Sequence, residues 1–364
     1  MDYIIGGLPI RDTNLSNTLL YKEYVNAAYT QFGKKIDKFS YLLGLRMENS
    51  NITIDQKTTK NKTIKKYTNW FPTANLSYKL NEKQSVILGV SRRIRRPRSW
   101  FINPFPSRSS ITNIFQGNPD LDPTFSNAYD LGYLKRWDKL TFNGSIYYQK
   151  ATQVFTFITE DTGQKAIISG DPNDPTNPIV EVPVLRRTPV NLSENIRQGA
   201  EFTVSFFPSR KLRFNGNFNL FRSEIIGSYN GLVLDASNLS WFARLNATIK
   251  LPGGIDWQTR MYYRGPNENA QTVSQGVFSL NGALNKNLFK NKATLSLRAS
   301  DILNSSKRRS ETLTPTFFSD SEFQWRQPSY VLTFTYRVNE RETDRRKNRR
   351  QNYDSGEGGE GFDF

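Results

Sequence analysis

Leu212-Arg213-Phe214-Asn215-Gly216-Asn217-Phe218-Asn219-Leu220-Phe221 decides the fold class. Leu212, Phe214, Gly216, Phe218 and Leu220 fall on one side of an extended chain; Arg213, Asn215, Asn217 and Asn219 fall on the other. Successive β side chains point to opposite faces, so a two-residue period describes a strand with one apolar and one polar face. A helix would space its apolar residues three and four apart, and that template fits poorly almost everywhere here. The alternation recurs at 140–149 and 200–206. It recurs again near the end, where Tyr330, Leu332, Phe334, Tyr336 and Val338 oppose Val331, Thr333, Thr335 and Arg337.

Working outward from these segments, strands are predicted at roughly 20–33, 36–50, 66–80, 84–96, 125–138, 139–158, 194–207, 210–227, 237–251, 254–264, 274–289, 292–303 and 322–338. Most are long enough for a tilted membrane strand, which needs about 9–11 residues. Short turns are expected at Gly33-Lys34-Lys35, Asn81-Glu82-Lys83, Trp137-Asp138-Lys139, Pro208-Ser209-Arg210, Pro252-Gly253-Gly254 and Lys290-Asn291-Lys292. Longer links are expected near 51–65, 97–124, 159–193, 228–236, 265–273 and 304–321. Short turns at one end and long loops at the other are the signature of an outer-membrane barrel. The fold class is therefore all-β: an antiparallel transmembrane β-barrel, partial, with about 13–14 strands. Thirteen is odd, so an ascending strand is expected before Leu20, with residues 3–10 a candidate for its end. The barrel domain is placed at 1–338 and read as N-terminally incomplete. Residues 339–364, Arg-rich and then Gly-rich, are expected to form a disordered charged tail.

Composition narrows the function classes. The chain has 364 residues and a formal net charge of +17, with neither Cys nor His. Disulfides, thiolate or imidazole metal sites, and Ser-His-Asp or Cys-His catalysis are all excluded. Catalytic residues, metal and cofactor are each expected to be absent. No run of about 18 apolar residues suggests a membrane helix. No secretory leader is visible either, so the chain is expected to be mature or truncated upstream. Aromatics make up 13% of residues, too many for a disordered polymer.

Arg46, Glu48, Glu201, Arg213, Arg244, Asp256, Arg260 and Arg298 fall on predicted polar faces and are candidate lumen charges. An Arg or Lys facing lipid at the midplane would cost about 2–4 kcal/mol. Plain solvation and cross-strand pairing account for such charges as well as a solute path does. Arg92, Arg93, Arg95, Arg96 and Arg98 form the densest basic run. It reads as charge at a loop base, as a nucleic-acid patch, or as a rim that pairs with lipopolysaccharide phosphates; the last is assigned to Arg95, Arg96 and Arg98. Trp70, Trp100, Trp137, Trp241, Trp257 and Trp325 read first as an interfacial girdle, with sugar stacking an alternative for Trp100. Asp171-Pro172-Asn173-Asp174-Pro175 reads as Asx-Pro turns, because the EF-hand spacing is absent.

Residues 91–133 carry a family resemblance. Ser91 to Pro97 is followed by Asn103-Pro104-Phe105, then by Gln116-Gly117-Asn118-Pro119-Asp120-Leu121-Asp122-Pro123 and Asn127 to Tyr133. This resembles the barrel of TonB-dependent outer-membrane receptors, especially the outer membrane β-barrel family common in Bacteroidetes. Asn195 to Glu201 and Ser300 to Asn304 resemble further segments of that family, and the similarity runs from about 20 to 338. Gly117, Asn118, Pro119, Asp120, Leu121 and Pro123 form the family-motif loop, read as a rigid return or as an external ligand contact. The resemblance implies a wall of about 22 strands, a plug domain, TonB-driven transport of an unidentified solute, and outer-membrane lipid and lipopolysaccharide as partners. Plug and TonB-contacting segments are not recognisable here. The alternative function is a non-transporting outer-membrane barrel for adhesion or surface assembly. A soluble nucleic-acid binder and an enzyme rank lower, and no nucleic-acid partner is expected.

Overall fold

The computed structural model describes residues 2–5, 8–11, 16–108, 110–170, 176–268, 271–314 and 317–338. The expected tail at 339–364 and the Asx-Pro turns at 171–175 lie outside the described residues. Among the described residues, thirteen strands form an antiparallel path through one sheet, each pairing with its neighbours in chain order, and two short strands, Ser107–Arg108 and Asn113–Phe115, join that sheet off the path. The thirteen are β1 (Leu19–Ile36), β2 (Phe39–Gln56), β3 (Asn61–Asn81), β4 (Gln84–Arg95), β5 (Thr124–Arg136), β6 (Leu140–Ser169) and β7 (Val180–Ser209). β8 (Leu212–Ile226), β9 (Ala236–Leu251), β10 (Ile255–Arg264), β11 (Val277–Leu288), β12 (Ala293–Ser300) and β13 (Ser329–Tyr336) follow. β1 and β13 are the two edges of the sheet.

Register turns the two-residue period into two faces. One row runs Phe39, Tyr78, Val86, Tyr133, Gly144, Phe202, Phe218, Ala243, Tyr263, Phe278 across ten strands. A second row on that face runs Leu76, Leu88, Leu131, Ile146, Ala200, Leu220, Trp241. The opposite face carries rows such as Ser205, Asn215, Asn246, Arg260, Asn281. Ile146 is 60% exposed and Leu332 69%, so the apolar face covers no sealed protein interior. An apolar band of this extent demands a non-aqueous neighbour.

The six short connections follow β1, β3, β5, β7, β9 and β11, and all lie at one end of the sheet. Five lie within a residue or two of the expected positions. The first is displaced: the strand runs through Gly33 to Ile36, and the reversal uses Asp37, whose φ is 49°. The links expected at 51–65 and 159–193 are largely strand. Ile52 pairs with Lys65, Ile54 with Thr63, and Thr159 with Arg187, which carries the wall well beyond the apolar band. These segments look loop-like because they are polar, yet cross-strand pairing sustains β structure in water once neighbours are in register.

Two further expectations change. Residues 322–338 do not form one strand. Phe318–Phe323 pairs with Arg308–Leu313 in a separate four-stranded sheet at the long-loop end. β13 begins only after Pro328, which has no N–H to give a ladder. Residues 3–10 do not extend the wall either, since Asp2–Ile5 pairs with Leu8–Arg11 as an isolated hairpin.

Candidate functional site

The chain leaving β4 turns back onto the polar face. Residues 96–108 and 110–123, which we term the latch, pack there on the outer halves of β2 and β3 through residues 96, 101–103 and 121, and pair with β7 at Asn113–Phe115. Its apolar footing is Phe101, Ile102 and Leu121 packed on Ile52 and Ile54, with Tyr21, Tyr67, Phe115, Phe155 and Phe157 around them. Leu121 is 2% exposed. This cluster explains why Ile52 and Ile54 can sit on the polar face: the latch removes them from water, at roughly 25 cal/mol per Å² of apolar surface covered.

Polar contacts fix the latch in place. The Arg96 guanidinium donates to Glu48 Oε2 at 2.7 Å, Ser50 Oγ at 2.8 Å and the Tyr67 hydroxyl at 3.2 Å, and lies 3.4 Å from Glu23 Oε1. Arg46 Nε donates to the other Glu48 oxygen at 2.6 Å. Burial alone would lower the pKa of Arg96; hydrogen bonds with Glu48 and Tyr67 outweigh that and hold it above the ordinary value. Lys65 Nζ donates to the Leu121 carbonyl at 2.7 Å and pairs with Asp122 at 3.2 Å. Gln56 donates to Asn103 Oδ1 at 2.9 Å. Asn191 holds Asp122 from both sides: its Oδ1 accepts the Asp122 N–H, and its Nδ2 donates to the Asp122 carbonyl.

The motif residues shape this return. Gly117 N–H donates to the Asn103 carbonyl at 2.9 Å, and Asn118 N–H to the Phe101 carbonyl at 2.7 Å. A Cβ on Gly117 would stand 2.6 Å from both of those carbonyl oxygens, so close backbone approach requires glycine. Asn118 Oδ1 accepts the Asp120 N–H, closing an Asx turn that leads through Pro119. Leu121 and Pro123 are buried, and Asp120 is exposed. The motif loop is thus a rigid return folded inward, not a projecting arm.

This placement corrects the lipopolysaccharide assignment for Arg96 and Arg95. Arg96 is spent on Glu48, Ser50 and Tyr67, all on the polar face. Arg95 lies on the Phe155 ring, 5.0 Å from its centroid, on that same face. Arg98 is exposed on the turn that opens the latch, close enough to Arg95 for their charges to interact. The outward-facing cation of the run is Arg92, 5.4 Å from the Phe125 centroid. The girdle reading is corrected for Trp100, which sits on the latch. Trp70, Trp241 and Trp257 share the apolar face by register.

All eight candidate lumen charges lie on the polar face. They do not converge on one point. Arg46 and Glu48 anchor the latch; Glu201 accepts from Asn217 at 2.7 Å and from Asn219 at 3.4 Å. Arg260 donates to Asn246 at 3.1 Å, and Arg244 lies over Tyr262. Asp256 is opposite Lys250, Arg213 opposite Thr248, and Arg298 opposite Ala283. Sequence reading missed Arg187, Arg197 and Arg264, which share this face. Their pairing opposite Thr159, Gln149 and Phe242 puts them there, and that depends on where the strands pair.

The sequence profile of the outer membrane protein beta-barrel family matches residues 2–336. No curated protein sequence matches the chain. Among solved structures, the ferric-catecholate import receptor Fiu from K12 E. coli is similar with TM-score 0.60 and 13% identity, covering 91% of this chain and 46% of that one. The ferric yersiniabactin uptake receptor FyuA from Yersinia pestis gives TM-score 0.57 and 12% identity, covering 92% and 48%. The FrpB iron transporter from Neisseria meningitidis gives 0.53 and 14%, covering 87% and 46%. The chain spans about half the length of these structures, and at such identities the likeness is one of fold. Apolar band, one-sided short turns and family profile agree: the chain belongs to the outer membrane protein β-barrel family, and its wall stands in the outer membrane.

Proposed function

We propose that the chain is the wall of an outer-membrane receptor that takes up a solute, gated by a plug domain and energised through TonB. The observation that carries this reading is the polar face. It holds arginines, carboxylates and amides along the full depth of the apolar band, as a water-filled passage requires and a solid barrel does not. The uptake receptors named above share the fold, which supports the reading without naming a solute. The thirteen strands are one part of the wall, because hydrocarbon leaves no unpaired strand edge satisfied. Further strands would join β1 and β13. The test is uptake by an otherwise intact strain lacking the gene. Solute uptake that vanishes on deletion, and equally on dissipation of the proton gradient, supports the reading; uptake that persists counts against it.

A second reading, surface adhesion or assembly, draws on the separate sheet at the long-loop end, where Leu313 is 70% and Phe318 64% exposed. Normal uptake with lost surface binding after removal of 308–323 favours it. For the lipid partner, Arg92 replaces Arg95 and Arg96 as the cation that meets lipopolysaccharide phosphates. Arg92→Glu should reduce co-purifying lipopolysaccharide, and an unchanged amount would remove this contact.

A further inference from the structure

The latch and β6 together build an aromatic tray at the long-loop end of the polar face. Phe101 lies 5.4 Å from Phe155 and 5.2 Å from Phe157, centroid to centroid. Trp100 rests on Phe101 at 3.9 Å, on Phe115 at 5.1 Å, and stacks towards Phe157 at 6.5 Å with 17° between planes. The buried members of this set explain the latch's stability. Trp100 is not needed for that, because its indole is 48% exposed. An exposed indole held by three rings is a preorganised surface for another flat group.

Two guanidinium groups complete the tray. Arg187 lies 4.2 Å above the Phe157 centroid, and Arg95 5.0 Å above that of Phe155. The side chain of Arg187 is exposed, and among the described residues it pairs with no carboxylate. Its neighbour Arg186, on the other face of the strand, takes Glu160 instead. A guanidinium stacked on a ring keeps its planar N–H fork at the edge, where a carboxylate or phenolate engages two N–H groups at once. Short pairing holds the parts together: Phe115 is in parallel register with Arg187, and Thr159 is opposite it.

The sign of the charge has independent support deeper in the wall. Between residues 195 and 300 the polar face presents Arg197, Arg213, Arg244, Lys250, Arg260, Arg264 and Arg298 against the carboxylates of Glu201 and Asp256. A concave surface of one sign raises the local concentration of the opposite ion.

We propose that Trp100, Phe157, Arg95 and Arg187 form an entry subsite for an organic anion that carries a planar ring. The subsite rests on the uptake reading for its place at a solute's entry. Its test does not, because equilibrium binding needs no energised membrane. The full-length protein in detergent micelles is titrated by calorimetry with trimesate (a flat benzene ring bearing three carboxylates). Cyclohexanetricarboxylate keeps the charge without the flat face, and benzenetrimethanol keeps the ring without the charge. Trimesate should bind more tightly than either. Arg187→Gln and Trp100→Ala should each weaken it about tenfold, and Trp100→Phe should retain most of the affinity. Both side chains are exposed, and heat-modifiable migration on gels checks that each variant is folded. Trimesate that fails to bind at millimolar concentration, binds no better than the two analogues, or ignores both variants overturns the subsite. Failed uptake with intact trimesate binding would instead sink the transport reading alone.

Discussion

At Arg96 a guanidinium meets two carboxylates, a hydroxyl and a phenol, while its neighbour Glu48 is almost out of reach of water. Removing one partner of such a pair leaves the other charge buried. Arg96→Leu should therefore destabilise the latch by about 2–3 kcal/mol, below the range for a fully buried pair because Arg46 still bonds Glu48. Hydrogen exchange at 101–121 measures this; protection equal to wild type would show that the apolar footing suffices. The opposite face obeys a different solvent. Ile146→Arg places a charge in the middle of the apolar band and should cost about 2–4 kcal/mol in bilayers, whereas Ser145→Arg, one residue away on the polar face, should cost far less. Denaturant unfolding from lipid vesicles compares them, and equal penalties would contradict the two-faced wall.

The latch as an element depends on backbone proximity as much as on charge. Gly117→Ala must push a methyl group against the Phe101 and Asn103 carbonyls, which are themselves bonded to Gly117 and Asn118. We expect a loss of about 1–3 kcal/mol confined to 97–123, with wall strands unchanged. Site-directed proteolysis within the latch reads it, and wild-type resistance would argue against the close approach. The separate outer sheet has its own control. Hydrogen bonds from Arg309, and then Lys307, hold the exposed Glu322 carboxyl below the usual carboxylate range. A depressed folded value means that the pairing contributes above the unfolded value of about 4.3 and is lost as pH falls through the lower folded one. The sheet at 308–323 should thus loosen below pH 4, seen as faster amide exchange, while Glu322→Gln should remove the pH dependence.

Across the whole molecule, the period-two pattern placed twelve of the thirteen wall strands, the second half of the thirteenth and five of the six short turns, because alternation follows from covalent geometry and from a wall with lipid on one side and water on the other. It also assigned Arg46, Glu48, Glu201 and the other candidate charges to one face. It could not say how far β2, β3, β6 and β7 extend beyond the band. Polar hairpins such as 51–65 hold their strands through partners, not through a lipid-imposed pattern. Nor could it place Arg95, Arg96 and Trp100, whose surroundings are built by contacts with Glu48, Ile52 and Phe157 from other strands. Local chemistry by itself determined the wall, its two faces and its orientation of turns. Only the tertiary structure decided that the motif loop folds inward, since that choice rests on burying Phe101, Ile102 and Leu121 against residues about fifty to seventy positions away.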